Sequence, residues 1–281
     1  MYIISNSKVN VAIKKFVEKD FYYYRNKIQT IADDDKEFMS QFLNRFYVAF
    51  SSLFSNQELA SRIFIQRLMQ IDAVRFNDED KNVAPLTLAF DALLDYNEGV
   101  LEGGLVMPTI GNGVVLLDMD LIRHGKTEWL HTLIHEMVHV MVLIKKENDG
   151  KLYYQTGIAQ HGKAFFKINE GITEIITKEL WKRMYKTRSY HYDERYVDEV
   201  AAADLIIEKV MPKEEFIEKF LIDSNEIVKE MKTIVNAEGM SMLDTIELFN
   251  KAVFLKYHTK KKFLTEMYKF KSVNCEQNIN N

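Results

Sequence analysis

Apolar positions near the start of the chain follow the period of an α-helix. Between residues 8 and about 72, aromatic and aliphatic side chains recur every three or four positions, with charged residues between them. The most regular members of this stripe are Phe38, Phe42, Phe46, Phe50 and Phe54. Such a stripe is typical of amphipathic helices that bury one face. We therefore predict a helical region over residues 1–80, with these phenylalanines in its core.

The pattern changes to alternation after Pro85. Leu86, Leu88 and Phe90 alternate with threonine and alanine, and a turn-forming Gly-Asn-Gly sequence precedes the apolar run 114–117. Alternating positions and short apolar runs next to turn residues predict strands. A small sheet is therefore expected in the middle of the chain.

Helical periodicity returns in the second half. The predicted helices cover about residues 128–145, 162–186, 194–210, 216–236 and 242–257. Residues 146 to about 160 are predicted to form a polar loop, and the end of the chain a disordered tail. The expected fold class is α+β and predominantly helical, with a helical region at 1–80, a core at 81–212 and a helical region at 213–281.

Composition supports a helical protein and limits its partners. The 281 residues include only 11 glycines and 3 prolines, so few turns are signalled and long helices are favoured. The net charge of -4 and the isoelectric point near 6.0 provide no overall attraction to nucleic acids or anionic membranes. Binding partners must therefore be inferred from local features.

The cellular location is predicted from the cysteine content and the apolar runs. The single cysteine, Cys275, excludes an internal disulfide framework and suits a reducing compartment. No apolar run approaches the ~20 residues that a membrane-spanning helix needs, and the first twenty residues do not resemble a secretory signal. We expect a cytoplasmic protein without a membrane partner.

The most informative motif lies in the apolar helix predicted at 128–145. His135, Glu136 and His139 form an HExxH sequence among aliphatic neighbours. Residues four positions apart lie on nearly the same helix face, about 6 Å apart along the axis, so both imidazoles can bind one metal ion. Glu136 lies about 100° around the helix from His135, where its carboxylate can act as general base toward a water at the metal.

Burial argues against a chance occurrence of this motif. Polar side chains inside an apolar helix would cost a few kcal/mol unless a partner such as a metal ion satisfied them. The ion expected for two imidazoles with a neighbouring glutamate is Zn²⁺, and a catalytic zinc ion usually has three protein ligands and an open position. A third ligand is therefore expected further along the chain.

The best candidate for the third ligand is Glu170. Glu174 follows one helical turn later on the same face, where it can accept a hydrogen bond from the second nitrogen of a ligand histidine. Taken alone, this pair would be interpreted as an exposed acidic helix start that the helix dipole favours. The upstream HExxH motif makes the ligand role the preferred interpretation.

The HExxH motif and the downstream Asn169-Glu170 pair resemble the gluzincin metallopeptidases. Thermolysin-like and aminopeptidase-like members of that group pair HExxH with a later helix that carries Asn-Glu. The resemblance covers about residues 131–180 and implies a zincin-like metalloprotease core at 81–212, with a small sheet beside the HExxH helix. It implies zinc bound by His135, His139 and Glu170, with Glu136 as base and acid and Glu174 supporting a ligand. The expected activity is hydrolysis of peptide or protein substrates.

A second resemblance offers a different third ligand. Residues 160–166 contain His161 followed by glycine and, at 165 and 166, two phenylalanines, similar to the His-Gly-x-x-Phe segment that follows HExxH in SprT-like proteases. In that alternative His161 replaces Glu170, and the lysines between Lys256 and Lys271 bind DNA electrostatically. A solvated helix face is the preferred interpretation of those lysines. A further alternative is a catalytically silent protein that binds zinc only to interact with a partner.

Two further features lie near the motif in the sequence. His131 precedes His135 by one turn and is expected to pack against the site or to form a supporting hydrogen bond. Tyr190, His191, Tyr192 and Tyr196 follow the Glu170 helix. One of these four is predicted to donate a hydrogen bond to the oxyanion of a tetrahedral intermediate.

Overall fold

The part of the chain that the computed structural model describes consists mainly of α-helices. The structure describes residues 6–18, 21–22, 28–29, 33–71, 73–76, 114–117, 127–148, 151–158, 163–186 and 196–237. The helices in these segments are α1 (Ser7–Val17), α2 (Asp33–Ser51), α3 (Gln57–Met69), α4 (Thr127–Val142), α5 (Lys163–Met184), α6 (Val197–Val210) and α7 (Lys213–Ala237). The predicted predominance of helix is confirmed. None of the helices in the described segments is long and apolar enough to cross a membrane.

Short strands form three separate pairs within the described segments. Antiparallel β1 (Phe21–Tyr22) and β2 (Ile28–Gln29) form the first pair, and parallel β3 (Ala73–Phe76) and β4 (Val114–Leu117) form the second. The strand predicted at 114–117 is confirmed, and its partner, Ala73–Phe76, was not predicted to be a strand. Ala73 pairs with Val114, and the register continues to Phe76 and Leu117.

The third pair corrects the predicted loop at 146–160. Helix α4 ends at Val142 and continues directly into β5 (Leu143–Asn148), which pairs antiparallel with β6 (Lys151–Thr156). The loop prediction was wrong because it gave too much weight to the lysines and the glutamate of this segment, which are rare in strands. The tyrosines and the threonine of β6 favour strands. The HExxH helix therefore leads straight into a β-hairpin.

Several predictions concern segments outside the described residues. These are the strand at 86–90, the helix at 242–257, the tail and the lysine patch Lys256–Lys271. The three predicted regions, 1–80, 81–212 and 213–281, remain predictions.

The aromatic stripe of α2 forms the core predicted for it. Phe42, Phe46 and Phe50 are buried on one face of the helix, and Phe54 is buried just beyond its end. The ring of Phe64 on α3 lies 6.4 Å from that of Phe46 and 5.8 Å from that of Phe50, between centroids. Such tilted pairs lie within the distances at which aromatic rings attract one another. Phe38, at the beginning of the stripe, is only partly buried against this core.

A buried arginine connects the N-terminal helices to the helix that carries HExxH. The guanidinium of Arg67, on α3, donates from Nε to the carbonyl oxygen of Met141 at 3.1 Å and from Nη2 to that of Ile222 at 3.2 Å. Both carbonyls lie at helix ends, where a positive charge is favourable. Burial lowers the pKa of Arg67, and the negative charge of Asp223 raises it in part, so that the pKa is about 10. The side chain therefore stays charged at neutral pH.

Helix α7 is interrupted next to this arginine. Asp223 has an extended backbone (φ -151°, ψ 102°), and its carboxylate accepts a hydrogen bond from the Asn225 N–H at 3.0 Å. It therefore caps the second half of α7, as aspartate commonly does at a helix N-terminus. Ser224 donates to the carbonyl oxygen of Gly157 at 2.6 Å, which joins this second half to the end of β6.

We predict that Arg67→Met lowers the free energy of unfolding by about 2–4 kcal/mol, because the buried Met141 carbonyl and the partly buried Ile222 carbonyl lose a charged donor. Urea denaturation followed by circular dichroism measures the change. The matched control is Arg62→Met, which removes an exposed arginine from the same helix and should change stability by less than about 0.5 kcal/mol. Equal effects of the two substitutions would contradict the role given to Arg67.

Candidate metal centre

Helices α4 and α5 pack together and place the polar residues of both motifs in their interface. His135, Glu136, His139, Glu170 and Glu174 are all buried, with at most 7% of each residue exposed. Around them lie buried apolar residues of the same helices, such as Ile134, Val138 and Ile172, together with the buried polar side chains of Asn169, Thr173 and Thr177. The less favoured interpretation of Glu170 and Glu174, an exposed acidic helix start, is excluded because α5 begins at Lys163 and both glutamates are buried in its interior.

Three of these side chains meet at one point. His135 Nε2 lies 3.2 Å from His139 Nε2 and 3.3 Å from Glu170 Oε2, and His139 Nε2 lies 3.5 Å from the same oxygen. The four-residue spacing on α4 brings the two imidazoles together, and α5 supplies the carboxylate from the opposite side. The structure thus brings together the three residues predicted as ligands, and this group could hold a metal ion.

The spacing of the three atoms fits a tetrahedral ion. Bonds of about 2.0–2.2 Å at tetrahedral angles separate neighbouring ligand atoms by about 3.3–3.6 Å. The three distances of 3.2, 3.3 and 3.5 Å are close to that range. Two imidazole nitrogens and one carboxylate oxygen are also donors that first-row divalent metals accept. The residues present therefore fit a metal ion in both geometry and chemistry.

Glu174 orients His135 and His131 through one carboxylate. His135 Nδ1–H donates to Glu174 Oε2 at 2.9 Å, and His131 Nε2–H donates to Oε1 at 2.9 Å. With Nδ1 occupied in this way, Nε2 is the nitrogen of His135 that faces His139 and Glu170. The structure therefore contains the hydrogen bond expected of Glu174 and a second one from His131, which was expected either to pack or to form such a bond. Their role in support of a metal ligand remains a prediction.

The cluster strongly favours positive charge. Burial disfavours the charged form of His135, but hydrogen bonds to Glu170 and Glu174 outweigh it and raise its pKa to about 10. Burial alone would raise the pKa values of both glutamates, yet the neighbouring histidines hold them well below the usual range. A proton on His135 and a metal ion would occupy the same place between these carboxylates, so the two compete.

Glu136 lies beside the three converging residues without being one of them. The side chain of Glu136 is buried. The burial of His135 and His139 lowers their own pKa values, and the negative charge of Glu136 is one of the contributions that raise them. This position agrees with the offset of one residue around the helix. Its predicted role as general base remains a prediction.

Asn169, beside the candidate ligand Glu170, connects the interior of α5 to the end of the β5–β6 hairpin. Its side-chain oxygen accepts a hydrogen bond from the Ile158 N–H at 3.0 Å, just after β6. Gly157, the preceding residue, has φ of +54°, and a Cβ there would lie 1.9 Å from the same oxygen. Glycine is required here by both conformation and space. This hydrogen bond holds the end of the hairpin against α5.

Gly171, on the other side of Glu170, lets α6 approach α5 closely. A Cβ at Gly171 would lie 2.1 Å from the carbonyl oxygen of Glu199 on α6. Sequence reasoning missed this role, although an isolated glycine inside a helical pattern often has a packing reason. Any side chain at 171 would push α6 away from α5.

Tyr196 is the member of the predicted oxyanion cluster that the structure describes. Its ring lies parallel to that of His135, with centroids 5.2 Å apart and an interplanar angle of 12°. Tyr190, His191 and Tyr192 lie outside the described residues, as does the alternative ligand His161. The oxyanion role and the ligand role of His161 therefore remain predictions.

No protein-family model, curated protein or solved structure matches the chain.

We predict that Glu170→Gln weakens the binding of Zn²⁺ by at least about a hundredfold, because the substitution removes the only anionic ligand of the three. Competition with a chromophoric chelator measures the dissociation constant. Glu179→Gln is the matched control on the same helix, where the carboxylate pairs with Lys182 and Lys213 instead. Equal affinities of the two variants would exclude Glu170 as a ligand.

We also predict that metal binding near pH 7 releases protons. Because the pKa of His135 is raised to about 10, we expect its imidazole to carry a second proton on Nε2 near pH 7 in the metal-free protein, and a metal ion must displace that proton. Affinity should therefore rise with pH from 6 toward 10. Calorimetric titrations in buffers of different ionisation enthalpy measure the proton count. Heats that do not depend on the buffer would contradict this protonation state.

Proposed function

We propose that this protein is a zinc-dependent peptidase in which Glu136 acts as general base. The observation that supports it is the convergence of His135 Nε2, His139 Nε2 and Glu170 Oε2 within 3.5 Å of one another. A buried carboxylate, Glu136, accompanies them. The resemblance of the two motifs to gluzincin metallopeptidases supports the same activity, and a zincin-like core at 81–212 belongs to this proposal.

The number of ligands favours catalysis over a structural role. Structural zinc sites usually have four protein ligands, whereas catalytic sites have three and an open position. Within the described segments the candidate group has three members. Two histidines and a carboxylate are also a ligand set found in zinc peptidases, which is why we propose zinc among the divalent metals.

The reaction assigns a distinct task to each side chain. Zinc, when bound, lowers the pKa of a water toward neutrality and polarises a carbonyl group. Glu136 accepts a proton from the attacking water, whose oxygen forms a bond to the carbonyl carbon of the peptide. The C–N bond then breaks, and Glu136 returns the proton to the leaving amine. Glu174 keeps His135 oriented throughout by accepting its Nδ1–H.

We predict that Glu136→Gln retains zinc but loses hydrolysis by a factor of about 10²–10⁴, the usual contribution of a general base. The assay is cleavage of a fluorescence-quenched peptide library, with and without a chelator. The matched acid-to-amide control is Glu179→Gln, which lies outside the cluster on α5 and should cleave like the unmodified protein.

Two outcomes would overturn the proposal. If the unmodified protein binds zinc tightly and cleaves no peptide, it is the catalytically silent zinc-binding protein. If Glu136→Gln cleaves as fast as the unmodified protein, another residue is the base. Salt-dependent binding of DNA by the full chain, together with zinc affinity that depends on His161, would instead favour the SprT-like alternative.

A further inference from the structure

The imidazole ring of His135 is contacted at its rim by hydrogen-bond partners and on one face by the ring of Tyr196. At the rim, its Nδ1–H donates to Glu174 Oε2 at 2.9 Å. Together with the contact of Nε2 to Glu170 Oε2 at 3.3 Å, this hydrogen bond holds the rim of the ring, and contacts at the rim oppose tilting of the ring plane less than they oppose movement within the plane. The ring of Tyr196, 5.2 Å away and inclined by only 12°, lies against one face and opposes this tilting.

The position of Tyr196 depends on the packing that also surrounds Glu170. Tyr196 immediately precedes α6, and α6 approaches α5 closely because residue 171 is glycine. Gly171 adjoins the ligand Glu170. The contact between α5 and α6 at Gly171 therefore lies next to Glu170, and it also sets the position of the Tyr196 ring that packs on His135.

We propose that Tyr196 is a positioning residue for the metal centre, which fixes the plane of the His135 imidazole by stacking on it. This inference rests on the proposed zinc site. The nitrogen lone pair lies in the plane of the ring, so a tilted imidazole binds the ion less well. Residues that orient a metal ligand typically contribute 10- to 100-fold to metal affinity.

Stacking requires the aromatic ring and not the hydroxyl, and this distinction defines the test. Tyr196→Phe keeps the ring and should bind Co²⁺ and Zn²⁺ within about twofold of the unmodified protein. Tyr196→Leu removes the ring and should weaken both by about tenfold or more. The visible absorption spectrum of the Co²⁺-loaded protein, which reports ligand geometry, should change in Tyr196→Leu alone.

A control separates positioning from a general loss of stability. Tyr185→Leu removes a tyrosine that packs on Trp181, with ring centroids 4.8 Å apart, outside the group of ligands. It should lower the free energy of unfolding and leave metal affinity and the Co²⁺ spectrum unchanged. Thermal unfolding of all variants, measured without metal, shows how much stability each has lost.

The possible results decide the inference and the proposed function separately. Tyr196→Leu with unchanged affinity and spectrum overturns the positioning role, as does Tyr196→Phe with the same loss as Tyr196→Leu. Should Tyr196→Leu fail to fold, the ring proton resonances of His135 in the unmodified metal-free protein decide. An upfield ring-current shift of these resonances relative to those of His131 supports stacking. The absence of such a shift overturns it. An unmodified protein that binds neither Co²⁺ nor Zn²⁺ overturns the proposed function itself.

Discussion

Charge neutralisation inside an apolar helix pair is the constraint on which the rest of the site depends. Two glutamates on α5 lie almost out of reach of water, opposite the histidines of α4. Carboxylates in such surroundings are tolerated only with a positive partner nearby. The imidazoles provide it by carrying protons, or by binding a metal ion in the position of a proton. The contacts between these histidines and glutamates therefore hold α4 and α5 together, and they favour a positive charge between the two helices.

Much of this centre could be predicted because it obeys the helical period. His135 and His139 are four residues apart, as are Glu170 and Glu174, so each pair lies on one helix face whatever the surrounding fold. The aromatic stripe of α2 follows the same rule. These features depend on spacing within a single helix, and such spacing can be read directly from the sequence.

Features that depend on two distant segments could not be predicted. The role of Arg67 requires the carbonyls of Met141 and Ile222 to lie beside it, and nothing local in α3 indicates this. The glycine at 171 matters because another helix happens to cross there. The β5–β6 hairpin was hidden for a different reason: its lysines resemble those of a loop, and strand propensity depends strongly on the partner strand.

The hydrogen bonds of Arg67 also bear on how the chain can be divided. The last turn of the HExxH helix relies on a side chain that comes from the N-terminal helical region, and α3 packs directly against α4. A fragment that starts at residue 81 would retain His135, His139 and Glu170 but leave the Met141 carbonyl without this donor and the side of α4 that packs on α3 open to water. The three converging residues and the side chains that support their helices thus come from different parts of the chain, and excising the motif alone would not reproduce its surroundings.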